Sequence, residues 1–443
     1  VTVVVGGQTN AYEPYSWILI CLLPQVVVGM FLLCARAAAR VRPGPTGGPT
    51  WPLVVTIGAY LGWAALTYTL IAGFAALLVA LVVVVHLWRF RAERAVVTAL
   101  VARLVATAAL SVVIALAFWH RYLLAVLGGA PTEPSVATDF APSVGSRWPL
   151  PMFEISALGI LCLIGLVWLV ITVWPAGPGG TATGWPLPSP DRALDVARAL
   201  TLMVVAVFGW FVLSGLRAAT GSTLLPFRMI PVITLALAVA GVIGALALAR
   251  WAVNTASPGS RGRVTAAAVV VAGLAAVQMV QHVSEEDAEF AATARETPGP
   301  PDEVLTAIAE MTAGREPSDL VILTSDPALY SYRPFFSFQA PAQAYATPAG
   351  RYEERTDQIR RWADSDSPAE LADALEAGPF RAPDVLVLDR EHPRRWVVPV
   401  MINEMPLTHN NRREEIRFRP QQFADPDLFE VRRVGSLMVI VRR

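Results

Sequence analysis

The sequence has few charged residues, no lysine and very little cysteine. Only 16% of its 443 residues are charged, and all 35 basic residues are arginines, matched in number by 35 acidic ones. A soluble globular protein carries about 25% charged residues, so a single soluble domain is a poor fit. The net charge of zero argues against a general polyanion-binding protein, and we expect no nucleic-acid partner.

The three cysteines, Cys21, Cys34 and Cys162, all lie in or beside apolar stretches. The polar last third of the chain has none, so it cannot be held by a disulfide. The sequence also lacks a P-loop, a GxGxxG after a strand, an HExxH and any Cys/His metal spacing. His392 and His409 are too isolated to suggest a metal site. We therefore expect no cofactor, and the sequence gives no indication of a divalent metal.

Long apolar stretches account for much of the 54% hydrophobic content and the mean hydropathy of +0.50. A helix needs about 20 apolar residues to cross roughly 30 Å of hydrocarbon. Eight stretches predict membrane spans: Ser16–Cys34, Leu53–Ala72, Gly73–Trp88, Val96–Trp119, Pro151–Trp174, Ala197–Leu216, Met229–Ala249 and Val264–His282.

The second and third stretches are continuous in the sequence. As one helix they would be roughly 54 Å long, which is too long for a single crossing. We therefore predict a tight hairpin near Ala72–Gly73. With it, the arginine-rich connections at 35–50, 89–94 and 250–263 all fall on one side, which the positive-inside rule makes cytoplasmic. Val1–Tyr15 and everything after Val283 are then expected outside.

The composition predicts a transmembrane domain at 1–283, a linker at 284–301 and an extracytoplasmic domain at 302–443. The last of these contains the apolar strand patterns Asp319–Thr324, Asp384–Asp389, Ile416–Phe418, Leu428–Val434 and Leu437–Val441, with helical patterns at Pro348–Ala363 and Pro368–Ala377. Strands and helices in this order predict an α/β sandwich with an antiparallel edge. The fold class is therefore a polytopic α-helical membrane protein followed by an extracytoplasmic α/β domain.

Polar residues gather at the predicted outer ends of the spans. Arginines there could bind a lipid phosphate, and a carboxylate could act as a base. Alternatively, such residues anchor the helices at the membrane interface. The candidates for substrate binding are Glu13, His120, Arg121, Asp139, Glu154, Arg217 and Arg228.

The polar domain resembles the carboxyl-terminal domain of actinobacterial galactan 5-O-arabinofuranosyltransferases, the AftA type of the GT-C class. Three segments carry the resemblance: the run Ser325–Trp362, the strand DVLVLDRE, and the closing FRPQQFADPDLFEVRRVGSLMVIVRR. The resemblance covers about 120 residues closely, and the spans only by pattern. It implies a multi-pass plasma-membrane enzyme of arabinogalactan synthesis.

The resemblance also implies the substrates: decaprenyl-phosphoryl arabinofuranose as donor, and a 5-hydroxyl of cell-wall galactan as acceptor. Members of this class carry a catalytic acid in their first outer loop, near the amino terminus. Here the opening segment holds only Glu13. We therefore expect Val1 to lie downstream of that loop, so that the chain is amino-terminally truncated. No catalytic residue is assigned, and activity of this chain alone is in question.

Aromatic residues of the polar domain are candidates for stacking on a glycan: Tyr332, Phe336, Tyr345 and Trp362. The alternative is that these rings form the core. A different class of function is also open, namely a non-catalytic membrane scaffold or a transporter with an outer domain. A transporter should carry ionisable residues at mid-span and inverted repeats. The spans show neither, which favours a transferase.

Overall fold

The computed structural model describes residues 14–41, 48–134, 136, 148–174, 190–296, 301–393, 395–403 and 411–443. The chain forms two compact units. The first unit comprises residues 1–124, 146–214 and 226–292; the second comprises 125–145, 215–225 and 293–443. The second unit therefore contains the carboxyl-terminal domain together with two segments that connect helices of the membrane part.

The described amino-terminal part is helical: α1 Pro14–Val41, α2 Trp51–Thr67, α3 Thr69–Arg89, α4 Arg94–Leu127, α5 Ala157–Val173, α6 Pro190–Ala218, α7 Ile230–Thr255 and α8 Arg261–Glu296. Among the described residues, six helices are long and apolar enough to cross a membrane, and α2 and α5 are shorter apolar helices. In hydrocarbon the backbone must satisfy its own hydrogen bonds, and helices do so. The prediction of a polytopic helical membrane part is confirmed.

The predicted hairpin near Ala72–Gly73 is misplaced. The break is at Tyr68, whose backbone is extended (φ −152°, ψ 91°), while Gly73 lies inside α3. A lone glycine is tolerated in a membrane helix because the other backbone hydrogen bonds stay intact. Helix α2 ends instead at the polar run Thr67–Thr69. Tyrosine is common at such positions because it is enriched at the membrane–water interface.

Contacts in the first unit fix the direction of these helices. The Arg103 side chain on α4 donates to Thr50 at the start of α2 (3.4 Å), and the Trp119 indole N–H, further along α4, donates to the Ala65 carbonyl near the end of α2 (2.9 Å). Helices α2 and α4 therefore run parallel, and α3 between them runs back. This up-and-down order is the one that the arginine-rich connections require.

Glycines bring α5 and α7 into close contact. A Cβ atom on Gly165 would lie 2.0 Å from the Leu237 carbonyl oxygen, and one on Gly241 would lie 2.1 Å from the Leu161 carbonyl oxygen. Lipid tails are as apolar as leucine side chains, so association in the membrane depends on close backbone packing, which small residues allow. These two positions exclude any larger side chain.

The second unit contains a mixed seven-stranded sheet: β1 Val321–Thr324, β2 Phe336–Ser337, β3 Val385–His392, β4 Arg395–Asn403, β5 Asn411–Phe418, β6 Phe429–Val434 and β7 Leu437–Arg442. The order β2-β1-β3-β4-β5 forms one path, and β7 pairs with both β3 and β6. β1 is parallel to β2 and β3, and the other pairs are antiparallel. The helices are α9 Asp302–Met311, α10 Leu329–Tyr332, α11 Tyr352–Asp364 and α12 Pro368–Glu376.

Side-chain alternation along β3 builds a core on each face of the sheet. Leu386 and Leu388 belong to a cluster with residues of α11 and α12. Val385 and Val387 belong to a second cluster with residues of α9. The predicted α/β domain is confirmed as a three-layer arrangement of helices, sheet and helix.

The described part of the predicted linker is helical. Helix α8 continues through Ser284 to Glu296. Residues 297–300 lie outside the described part of the chain. Charged residues along 285–296 indicated a polar segment, but polarity alone does not end a helix when no glycine or proline interrupts it.

Glu133 fastens the segment after α4 to the carboxyl-terminal domain within the second unit. Its carboxylate accepts hydrogen bonds from the backbone N–H groups of Glu353 and Glu354, both at 3.0 Å, in the first turn of α11. Its own N–H donates to the Pro348 carbonyl (2.9 Å). These two amides have no partner inside the helix, and a negative charge is favourable at a helix amino terminus. Glu133 is therefore a helix cap supplied from 220 residues away.

Replacing Glu133 by Ala should loosen the start of α11. Losing such a cap costs about 0.5–2 kcal/mol, so the amides of Glu353 and Glu354 should exchange with solvent roughly 2- to 30-fold faster by hydrogen-exchange mass spectrometry. The control is Glu316→Ala, which removes another exposed carboxylate. Equal exchange in parent and Glu133→Ala chains would show that the cap contributes nothing.

Candidate functional site

Helix α2 ends and α3 begins at one end of the first unit, which we call the junction end and define by residues Ala65–Tyr68. Arg228 lies at this end. The Arg228 guanidinium carbon is 5.9 Å from the centre of the Tyr68 ring and 5.1 Å from that of Phe227. Arg228 belongs to a short 3₁₀ turn, Pro226–Met229, immediately before α7. Cation–π contacts of this kind contribute about 0.5–2 kcal/mol each, and they hold a cation at this end of the helices.

Other aromatic rings pack within the first unit. The Trp148 ring stacks on Phe208 of α6, with ring centres 5.7 Å apart. Phe74 of α3 meets Trp210 of α6 edge to face at 5.6 Å. Trp148 itself remains half exposed.

His120 and Arg121 directly follow Trp119, the residue of α4 that contacts the junction end. The Trp119 indole is bonded to Ala65, so the two following residues lie at the level of the junction end. Both side chains are exposed. The His120 Nδ1 is 2.9 Å from the Leu116 carbonyl of its own helix. The structure therefore brings these two candidates and Arg228 to the same end of the unit.

The remaining candidates are more dispersed. Glu154 is exposed at the end of a short 3₁₀ turn, Pro151–Phe153, that precedes α5. Arg217 lies in the last turn of α6 with its side chain exposed, and it belongs to the second unit. Glu13 and Asp139 lie outside the described residues.

Tyr68 is the site residue that sequence reasoning did not single out. It lies inside a predicted span, five residues before the expected hairpin at Gly73. The sequence alone therefore gives no reason to distinguish it from any other aromatic residue of a membrane helix. Because the break falls on it, its ring lies at the helix ends beside Arg228. A guanidinium held over aromatic faces can still present N–H groups from its edge, which is the geometry that binds phosphate oxygens.

The carboxyl-terminal domain has a polar cluster of its own at the end of β1. Burial raises the pKa of the Asp389 carboxyl on the neighbouring strand β3, while the Arg413 guanidinium acts in the opposite direction. Asp326, in the turn after β1, accepts a hydrogen bond from the Ala328 N–H at 2.9 Å. Ligands of open α/β sheets bind at the carboxyl ends of parallel strands, which is where this cluster lies relative to β1.

The aromatic glycan-contact candidates divide into two groups. Tyr332, Phe336 and Tyr345 are 41%, 59% and 79% exposed. Trp362 is fully buried: it packs on Phe338 with ring centres 4.8 Å apart, and its indole N–H donates to the Ala374 carbonyl. The prediction of a glycan contact at Trp362 is therefore wrong, because its helical spacing in α11 places it against the sheet.

Two arginines cover the same core from outside: Arg355 in α11, and Arg351 immediately before it. The guanidinium carbon of Arg355 is 4.1 Å from the centre of the Phe380 ring, and that of Arg351 is 4.7 Å away. Burial, and the charge of Arg351 nearby, lower the pKa of Arg355. Arg355 also donates to the Phe338 carbonyl (2.9 Å). This bond fixes the stretch Tyr330–Tyr345, here called the aromatic segment, to the helix.

Comparison with known proteins matches both parts of the chain to one group of families. Residues 1–178 and 185–277 match the family "Arabinofuranosyltransferase N terminal". Residues 285–442 match "Arabinofuranosyltransferase A C terminal". Together these matches span the helical membrane part and the α/β domain.

Curated relatives share the name galactan 5-O-arabinofuranosyltransferase. The protein of Mycolicibacterium smegmatis is 31% identical over 97% of this chain and 66% of its own length. That of Mycobacterium tuberculosis is 29% identical over 100% of this chain and 67% of its own length. That of Corynebacterium glutamicum is 27% identical, over 97% and 63% respectively. The chain thus spans about two thirds of the length of these relatives.

Truncation of one buried and one exposed ring should separate core from surface. Trp362→Ala should destabilise the carboxyl-terminal domain by about 3–5 kcal/mol, because it leaves a cavity beside Phe338 and removes the indole hydrogen bond to the Ala374 carbonyl. Phe336→Ala should change stability by less than about 0.5 kcal/mol. Thermal unfolding of the full chain in detergent, followed by proteolysis, measures both. A large loss of stability in Phe336→Ala would make that ring part of the core.

Proposed function

Because this chain belongs to the arabinofuranosyltransferase A family, we propose that it takes part in moving an arabinofuranosyl residue from decaprenyl-phosphoryl arabinofuranose to cell-wall galactan. The family matches cover the membrane part and the α/β domain, and the curated relatives are named for transfer to galactan. The chain would be a membrane glycosyltransferase that uses a lipid-linked donor and a polysaccharide acceptor.

The observation that carries the proposal is the cation at the junction end. A lipid-linked donor has its phosphate at the membrane surface, and the departing lipid phosphate gains negative charge in the transition state. A positioned arginine stabilises that charge. The Arg228 guanidinium carbon, 5.9 Å from the Tyr68 ring centre and 5.1 Å from that of Phe227, is suited to this role, and His120 and Arg121 lie at the same end.

The reaction itself is one substitution at the anomeric carbon. The oxygen of the acceptor 5-hydroxyl forms a bond to that carbon, and the bond from the carbon to the phosphate oxygen breaks. The phosphate keeps the electron pair and leaves as decaprenyl phosphate, while the hydroxyl proton passes to a base. The described residues assign no base. The chain's part in this scheme is to bind the phosphate and to hold the acceptor.

The carboxyl-terminal domain would hold the acceptor. Rings that stack on sugars must be exposed, and Tyr332, Phe336 and Tyr345 are. Galactan is a long water-soluble chain, so the domain that meets it must lie on the same side of the membrane as the donor phosphate.

We place that side outside the plasma membrane. The connections with arginines at 36, 40, 89, 91, 94, 250, 261 and 263 are expected in the cytoplasm. The segments 125–145 and 215–225, which connect the opposite helix ends, belong to the same unit as the carboxyl-terminal domain. This grouping supports an extracytoplasmic domain.

Arg228→Ala should weaken donor use. Losing a charge-assisted hydrogen bond to phosphate costs about 2–3 kcal/mol, which corresponds to roughly a 30- to 150-fold fall in kcat/KM for decaprenyl-phosphoryl arabinofuranose. Arg228→Lys keeps the charge but not the planar fork, so it should restore activity only in part. Transfer of labelled arabinose to a galactofuranose oligosaccharide, with the chain in membrane vesicles, is the measurement.

The matched control for this test is Arg263→Ala, which removes an exposed arginine from a predicted cytoplasmic connection. Arg217→Ala, at the end of α6, tests the other predicted phosphate contact. If both Arg217→Ala and Arg228→Ala keep parental donor kinetics, neither binds the phosphate. If the parent chain transfers no arabinose under conditions where a mycobacterial relative does, the proposed activity does not belong to this chain alone.

Cysteine labelling in intact cells tests the membrane orientation. Ser318→Cys in the carboxyl-terminal domain and Ser257→Cys in the connection between α7 and α8 are both exposed positions. An impermeant thiol reagent should label Ser318→Cys and should reach Ser257→Cys only after lysis. The parent chain, whose cysteines lie within the helices, gives the background. Labelling of Ser257→Cys in intact cells would reverse the orientation.

A further inference from the structure

A groove of about 390 Å³ separates α1 from α2 within the membrane part. Leu22, Gln25, Val26 and Gly29 form its wall on α1. The α2 wall consists of Leu53, Thr56, Ile57, Ala59, Tyr60 and Trp63. The lining is almost wholly apolar, and two of its residues, Gly29 and Ala59, contribute little side-chain volume.

The groove runs along the helices rather than across them. Helices α1 and α2 are antiparallel: Gly29 faces Leu53 and Ile57, while the Tyr60 hydroxyl donates to the Leu19 carbonyl (2.9 Å). From Leu53 to Trp63 the α2 wall is roughly 15 Å long at 1.5 Å per residue. That is about half of the 30 Å of hydrocarbon in a bilayer.

One end of the groove approaches the arginine of the candidate phosphate site. Trp63 is five residues, or about 7.5 Å of helix, from Tyr68. The Tyr68 ring faces Arg228. A lipid whose phosphate binds Arg228 has its chain directed into the hydrocarbon, where the groove begins at Trp63.

We propose that this groove holds the first isoprene units of the polyisoprenyl chain of the lipid donor, an assignment that rests on the proposed function. Two features favour this occupant. The groove reaches Trp63, five residues before Tyr68 on the same helix. Its almost wholly apolar lining includes the side chains of Tyr60 and Trp63, on which the flat double bonds of an isoprenoid can pack.

The test separates binding of the chain from binding of the phosphate. The probes are decaprenyl phosphate and neryl phosphate, which share the phosphate but differ in chain length. Each is used to displace a diazirine-tagged polyprenyl phosphate from the full chain in lipid nanodiscs. In the parent, photo-crosslinks should fall on 22–29 and 53–63, and decaprenyl phosphate should displace the tag better than neryl phosphate.

Filling the groove should remove only the advantage of the long chain. Ala59→Trp should raise the apparent Kd of decaprenyl phosphate about tenfold and leave that of neryl phosphate within about twofold. Thr56→Trp fills the groove from an exposed position and should act in the same way. The control is Val112→Trp on α4: Val112 is exposed, and it lies at the same depth because the neighbouring Ser111 hydroxyl donates to the Gly58 carbonyl. Unchanged neryl phosphate binding shows that each variant is folded.

Three results would overturn the proposal. Val112→Trp and Ala59→Trp could have equal effects, both groove variants could leave decaprenyl phosphate binding unchanged, or phosphatidylglycerol could displace the tag as well as decaprenyl phosphate does. The last result would make the groove a site for ordinary phospholipid. Arabinose transfer that is unaffected by Ala59→Trp contradicts the groove but not the proposed function. Chain-length-dependent binding without transfer contradicts the proposed function but not the groove.

Discussion

A single extended residue, Tyr68, sets the arrangement of the membrane part. The apolar stretch around it is too long for one crossing, so a break is required somewhere in it. In hydrocarbon a break leaves backbone groups unsatisfied, and that cost confines it to the polar Thr67–Thr69 run at a helix end. The break makes α2 and α4 parallel, gives the arginine-rich connections one common side, and puts an aromatic ring beside Arg228. Orientation and candidate phosphate site thus follow from one constraint.

The interactions that drive helices and strands to pack differ between the two units, because one unit folds in lipid and the other in water. Between α5 and α7 the driving force is close backbone contact, so Gly165 and Gly241 face carbonyl oxygens about 2 Å from where a Cβ would be. In the water-exposed domain the hydrophobic effect operates. There, strict alternation along Val385–Leu388 loads both faces of the sheet with large side chains. The same residue types, Val and Leu, lie against lipid in one unit and in a dry core in the other.

Spans and strands could be predicted from the sequence because each reflects a local period. Features that depend on contacts with residues distant in the sequence could not be predicted. Strand β4 was missed since Pro399 interrupts its pattern, yet the strand tolerates proline there because β3 pairs only with its first residues, up to Val397. Trp362 has the helical spacing of a core residue, but the spacing alone cannot distinguish a buried ring from a glycan platform. Glu133 gives no local signal at all, since its partners are 220 residues away.

Helix α11 holds in place the surface that we propose for the acceptor. Its first turn is capped by Glu133, and its side chains and carbonyls hold the aromatic segment before it. The Gln339 side chain donates to the Tyr352 carbonyl (3.1 Å), and Gln343 donates to the Glu353 carboxylate (3.0 Å). Tyr345 is therefore exposed on a backbone that is held before it at Gln343 and after it at Pro348, whose carbonyl accepts from the Glu133 N–H. A ring held in this way loses little conformational freedom when a ligand stacks on it, and that cost is a large part of what limits weak binding. An irregular segment anchored so firmly to a helix is better suited to holding a polysaccharide than a free loop of the same composition would be.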